Sequence, residues 1–223
     1  TTQHTNMLGQ FNWNKVDGAL TKVSVSGGNV WGVNSAQEIW RFNGNSWDKM
    51  PGAAVGVSCS ADGSCWVVNS QDQLFNWNGQ SWNQMDGAAT VISVGNARDV
   101  WAVNRQGEIW HWTGSWQKVD GAAVDISVGV DGTVVCCNSA GEIYRRSGAM
   151  GSWQKMSGAA RNVSCHDASS IVVTNAAGEV WTFNPSNNDW IKSPGAGVHV
   201  SAGGPQASRV WIVNSAGEIW RHG

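Results

Sequence analysis

Six times along this 223-residue chain an Asn is followed, four residues later, by a carboxylate or a second carboxamide. The pairs are Asn34/Glu38, Asn69/Gln73, Asn104/Glu108, Asn138/Glu142, Asn175/Glu179 and Asn214/Glu218. A carboxamide both donates and accepts, and a carboxylate accepts only, so such a pair can read the direction of neutral hydroxyl groups. Three residues before four of these Asn stands a Trp: Trp31, Trp66, Trp101 or Trp211. An indole has an apolar face and one donor, which suits an amphipathic ligand. The other two copies carry Val135 and Val172. A packing position tolerates that loss only if neighbours restore the volume, whereas a binding position simply loses one site of several. The four Trp are therefore candidate exposed contacts. The Asn is equally placed to cap its own turn, and the Glu to hold a strand end. Arg41, Arg145 and Arg221, with His111 in a fourth copy, follow the next aromatic and are placed to pair with a Glu or to donate to a ligand.

Other chemistries fail on spacing. The five His are not at metal-ligand intervals. No nucleophile elbow, phosphate loop or dinucleotide fingerprint occurs. A catalytic carboxylate pair would be single and asymmetric, whereas here the Glu recurs. No enzyme activity, metal or cofactor is expected. The formal charge is -2 and charged residues are 13%, so no basic excess exists for nucleic acid. No run of eighteen apolar residues exists for membrane insertion.

Positioning these residues is the task of a repeat. The Asn recur at intervals of 35, 35, 34, 37 and 39. Each is followed by an aromatic (Trp40, Phe75, Trp110, Tyr144, Trp181, Trp220), and in five copies by a second Trp (Trp47, Trp82, Trp116, Trp153, Trp190). A small-residue loop such as Asp86-Gly87-Ala88-Ala89 comes next. Within a unit, Val91–Val94, Val100–Val103, Glu108–Trp112 and Trp116–Val119 are short and rich in β-branched and aromatic residues, as strands are. The last copy stops before its second Trp, and the missing piece, Trp13-Asn14-Lys15-Val16-Asp17-Gly18-Ala19, stands at the other end. Sharing one unit between both ends closes a ring and leaves no open edge. The expected fold is all-β, a six-bladed β-propeller of four-stranded antiparallel blades forming one domain over 1–223. A β-helix, whose repeats are usually shorter, is the weaker alternative. Most of the 16 Trp are assigned to packing between blades.

Cys59, Cys65, Cys136, Cys137 and Cys165 stand at or beside repeat positions where other copies carry Val or Ile, which reads as buried, reduced thiols. A bridge between Cys59 and Cys65 across a hairpin is a minor alternative. The sequon at Asn162 falls inside an expected strand and is read as chance. The first ten residues show neither a basic nor an apolar leader segment, so a cytoplasmic location is favoured.

The repeat resembles that of the tectonin lectins, whose units read roughly V-W-x-V-N-x-x-G-x-I-[WY], W-x-x-[VM]-x-G-A and [VI]-S-V-G. It stands here as Val30-Trp31-Gly32-Val33-Asn34, Glu38-Ile39-Trp40, Trp47-Asp48-Lys49-Met50 and Ile92-Ser93-Val94-Gly95, and the likeness runs from Gly9 to Gly223. The resemblance implies a propeller lectin that binds glycans. Fungal members are taken to bind O-methylated sugars, of the mannose or fucose type, on bacterial or nematode surfaces in innate defence. The second copy (Gln73, Phe75) and the fourth (Val135, Tyr144) depart from the pattern.

In a meander blade, the Asn–Glu loop and the small-residue connector lie on one face of the ring. A cleft between adjacent blades is then floored by Gly and Ala and walled by Asn, Glu and Trp. A small apolar slot takes a sugar's C–H face or an added methyl, whose burial stabilises by roughly 0.8 kcal/mol. Several such sites on one ring gain avidity. The rival reading is a scaffold for protein–protein interaction, disfavoured by the short, nearly identical loops. Whether the ring forms a homo-oligomer is left open by the sequence.

Overall fold

The computed structural model describes residues 8–223; residues 1–7, part of the stretch read for a leader, lie outside it. The described chain forms six four-stranded antiparallel sheets. Blade three is typical: Val91–Asn96 is the inner strand, then come Asp99–Val103, Glu108–Trp112 and the outer strand Trp116–Ala122. The other full blades start at Lys22, Gly56, Asp125 and Asn162. Blade six joins His199–Ala202, Val210–Val213 and Ile219–His222 to the N-terminal strand Asn14–Val16, which pairs antiparallel with Ile219–His222. The ring closes as the split repeat predicts. Among the described residues, no helix is long and apolar enough to cross a membrane.

The repeat motifs explain what holds the blades to one another. Inner-strand residues Ser24, Ser58, Ser93, Ser127, Ser164 and Ser201 each accept a backbone N–H from the next blade at 2.8–2.9 Å, and the last bond returns to blade one. This closed circle satisfies donors that the inner edges of the sheets would otherwise bury unpaired. At the periphery, the indole N–H of each outer-strand Trp donates to a carbonyl of the preceding blade at 2.7–2.9 Å: Trp13 to Pro194, Trp47 to Asp17, Trp82 to Pro51, Trp116 to Asp86, Trp153 to Asp120 and Trp190 to Ser157.

That bond explains the Gly after each accepting residue. Gly121 sits at φ +102, and a Cβ there would lie 3.0 Å from the Trp153 indole nitrogen. The small-residue segment is not a loop in most blades, contrary to expectation. The outer strand runs on through it to Ala53, Ala88, Ala122 and Ala196, with a shift in register opposite Glu38, Gln73, Glu108 and Glu179. A β-bulge centred on glycine absorbs the extra residues, so pairing continues where composition suggests a turn.

The five cysteines are buried, free thiols. Cys59 and Cys65 do face each other across a hairpin, unbridged. Asn162 is buried and donates to Asp125 at 2.6 Å.

Candidate functional site

The Asn–Glu pairs form one device repeated around the ring. In blade three, the Glu108 backbone N–H donates to Asn104 Oδ1 at 2.9 Å, and Asn104 Nδ2 donates to Glu108 Oε2 at 2.7 Å. The backbone N–H of Asn104 closes the hairpin onto the Glu108 carbonyl at 3.1 Å. Asn34, Asn138, Asn175 and Asn214 make the same side-chain bond to Glu38, Glu142, Glu179 and Glu218, and Asn69 makes it to Gln73. Each Asn therefore caps its turn and also aims the side chain four residues on.

The second Glu oxygen receives a lysine from the outer strand. The ion pairs are Lys15–Glu218, Lys49–Glu38, Lys118–Glu108, Lys155–Glu142 and Lys192–Glu179. The lysine, then the Asn, holds each of these carboxyls below its ordinary range. Glu142 is held at about 2, by Lys155 first, then Asn138 and Tyr144. These lysines are missed when the Asn–Glu spacing is read alone. Their signal is the recurring Trp-x-Lys at 13–15, 47–49, 116–118, 153–155 and 190–192. Blade two replaces both partners at once: Gln73 stands for the Glu, and Gln84, opposite Phe75, for the Lys. The Glu, about one-third exposed, and its more exposed lysine present a fixed acceptor and a fixed donor at the surface.

Trp31, Trp66, Trp101 and Trp211 are not exposed contacts. They are only 2%, 2%, 0% and 2% accessible. Trp31 packs edge-on against Trp77 and Trp82 of blade two, Trp66 against Trp112 and Trp116, and Trp211 against Phe42 and Trp47. Trp101 stacks on His111. The missing volume at the two valines is restored by neighbours, as a packing position requires. Val172 clusters with Phe11 and Ala207, and Val135 with Met156 and Phe183. Second strands have a blade on either side, so both of their faces are covered.

The half-exposed aromatics are those of the third and outer strands. Between blades two and three, Trp110 and Trp116 wall a pocket of about 230 Å³ with Leu74, Gly87, Ala88, Ala102 and Asn104. Its origin lies in residue volume. Across each seam a connector residue meets one on the next blade's second strand: Leu20 with Gly32, Ala54 with Val67, Ala89 with Ala102, Ala123 with Cys136, Ala160 with Val173, Gly197 with Ile212. Where one partner shrinks to Gly the other grows to Leu or Ile. Ala89 and Ala102 are the smallest pair, and the pocket opens beside them. The Glu108–Lys118 pair shares the face of Trp110, because Lys118 is its cross-strand partner and Glu108 lies two residues before it. The resulting cleft has an apolar floor, two indole walls and one charged donor–acceptor pair.

Arg41 and Arg221 do not meet a Glu. They lie over Trp31 and over Trp211 and Phe42, at the far end of the third strand from the Asn–Glu loop. Among the described residues, no group of three or more His, Cys, Asp or Glu is placed to hold a metal ion.

A six-bladed propeller with capped, lysine-paired carboxylates in five blades and an apolar cleft between blades two and three is the class defined so far. A family model described as the Tectonin domain matches residues 7–152, and the chain belongs to that family. Tectonin-2 of Physarum polycephalum is 40% identical over 53 residues, which span 23% of this chain and 15% of that protein. Two solved structures of similar fold are YCF48 from Cyanidioschyzon merolae (TM-score 0.62, 12% identity, 94% of this chain and 98% of that one) and YCF48 bound to D1 peptide (0.61, 15%, 91% and 78%). A chain from a mitotic checkpoint complex matches with TM-score 0.67 at 10% identity, over 99% of this chain and 96% of that one.

Proposed function

We propose that this protein is a multivalent lectin that holds neutral, O-methylated sugars of the mannose or fucose type in its interblade clefts. On this reading it marks bacterial or nematode glycans in innate defence. The observation that carries it is the pocket at Trp110 and Trp116, apolar within, whose Trp110 wall stands opposite Lys118 and two residues from Glu108. A sugar's C–H face lies on an indole, and a methyl ether enters the slot floored by Gly87, Ala88 and Ala102. Glu108 accepts from a ring hydroxyl, while Lys118 donates to a ring or ether oxygen. Asn104 lines the pocket and fixes the Glu108 carboxylate, and so lowers the ordering cost of binding. One such contact is weak; the lysine-paired Glu beside a third-strand aromatic recurs in blades one, four, five and six, and those shallower copies supply avidity on a dense glycan surface. A glycan array with methylated and parent saccharides tests this. Saturable binding to the methylated class supports the lectin; a blank array overturns it.

A further inference from the structure

On the opposite face of the ring, at the seam between blades six and one, lies a second pocket of about 580 Å³. Its walls include Arg41, Phe42, Asp48, Arg209, Trp211 and Arg221. The turns Gly27-Gly28 and Asn43-Gly44 also border it, and a Cβ at Gly28 or Gly44 would meet nothing within 4 Å. One wall thus lacks bulky side chains, and a ligand can approach the backbone there.

Charge is arranged unevenly in this pocket. Two guanidiniums, those of Arg209 and Arg221, stand on this seam, and the lining carries one acidic side chain, Asp48, whose two oxygens already accept from Asn43 Nδ2 at 3.2 and 3.3 Å. Elsewhere five lysines are matched to Glu, Arg105 to Asp72 and Arg146 to Asp120, while Lys22, Arg98, Arg145 and Arg161 stand singly. Arg41, Arg209 and Arg221 form no ion pair among the described residues, although the chain as a whole is acidic. They are also oriented. The Arg221 guanidinium carbon lies 5.7 Å from the ring centres of both Phe42 and Trp211, whereas that of Arg41 lies over Trp31 on the blade-two side of blade one. Arg209 donates to the Gly27 carbonyl. A guanidinium laid on an aromatic face keeps its N–H edge free and loses little freedom on binding. The equivalent group at the blade-three seam, His111, is instead held by Asp99 at 2.8 Å.

We propose that this seam binds a tetrahedral oxyanion carried as a sulfate or phosphate monoester. Planar N–H forks match the oxygen spacing of such groups, and the pocket has room for part of the alcohol that carries the ester. The site shares no residue with the Glu108–Lys118 cleft, so it stands or falls separately from the lectin reading.

The test is a nuclear magnetic resonance titration of the labelled protein at low, constant ionic strength. The probes are inorganic sulfate, inorganic phosphate, glucose 6-sulfate and glucose 6-phosphate, with chloride as the control. The expected result is saturable shifts at Gly28, Gly44 and the arginine Nε–H groups, with at least one ester bound more tightly than its free anion. Arg221→Gln is expected to weaken binding about tenfold, the loss of one charged hydrogen-bond donor. Asp48→Asn is expected to tighten it severalfold, by removing a like charge from beside the ligand. Lys118→Gln should leave it unchanged. Shifts matched by chloride, no saturation by about 10 mM, or weaker binding in Asp48→Asn would each overturn the proposal. Anions that bind while neither ester does would overturn the ester assignment.

Discussion

Replacing Ala102 by Val probes the cleft and the packing rule together. Val67 and Val173 already occupy this place in blades two and five, buried beside an alanine, so the backbone accepts the residue. Two added methyl groups fill space next to Ala89 and should stabilise the fold by up to about 1.5 kcal/mol, at roughly 0.8 kcal/mol per buried carbon. For a chain of this length that raises Tm by a few degrees, about 2–4 °C per kcal/mol. The same atoms remove the slot assigned to the ligand's methyl. Losing that burial costs about 0.8 kcal/mol, or about fourfold in affinity at this seam. Trp110 and Trp116 line the pocket, so their indole N–H signals report this seam separately from the others. The expected outcome is a higher Tm with weaker binding at those two signals. A higher Tm with unchanged local affinity would show that the methyl does not enter the pocket. A lower Tm would refute the volume rule from which the pocket is derived.

Four further outcomes follow from the geometry. Gly121→Ala strains a residue at φ +102 and crowds the Trp153 indole, so urea denaturation should show a loss of about 2 kcal/mol from backbone strain and a weakened hydrogen bond; a loss under about 0.5 kcal/mol would contradict this. His199, half-buried on the inner strand of blade six, has Nε2 2.9 Å from the Val23 carbonyl, and desolvation, then Lys22, lowers its pKa to about 4. Because the folded value is depressed, its contribution is fully present above about pH 6.5 and is lost as pH falls toward 4; His199→Gln should flatten that acid limb in thermal melts. Asp125, raised to about 6 mainly by burial, acts in the opposite sense, since its stabilising effect is present below about pH 3.8 and is lost as pH rises through 6. Asp125→Asn should therefore raise Tm at pH 7 more than at pH 4. Burial pushes Cys59 up to about 11 and Cys136 and Cys137 to about 12, so a thiol reagent at pH 8 should label none of the five cysteines until the protein is unfolded.

Much of the fold was legible because each blade writes it again. The recurring Asn, the third-strand aromatic and the outer Trp mark the strands, and the split repeat marks the closure. The second-strand Trp were misjudged for a physical reason. Alternation tells which residues share a face, but not whether that face meets water or the next blade. Val172 looked like a lost contact because its compensating neighbour, Phe11, lies far away in sequence. The bulge at Gly121 was hidden for a similar reason: glycine reads as a turn, and only the Trp153 indole above it shows why the strand needs it. The Lys118 partner of Glu108 was readable, as its spacing repeats as regularly as the Asn. A cleft floored by Gly and Ala beside Asn and Trp was readable; the seam at which it opens was not, because that depends on two alanines, Ala89 and Ala102, meeting between blades.

The central claim is that an interblade cleft reads a methyl ether as well as hydroxyl groups. The most direct measurement is calorimetric titration of the protein with an O-methylated mannoside or fucoside and, side by side, with its unmethylated parent. The expected result is tighter binding of the methylated sugar by about fourfold or more, the worth of one buried methyl, with the advantage reduced in Ala102→Val. Equal affinity for the two sugars, or no binding of either, would contradict it.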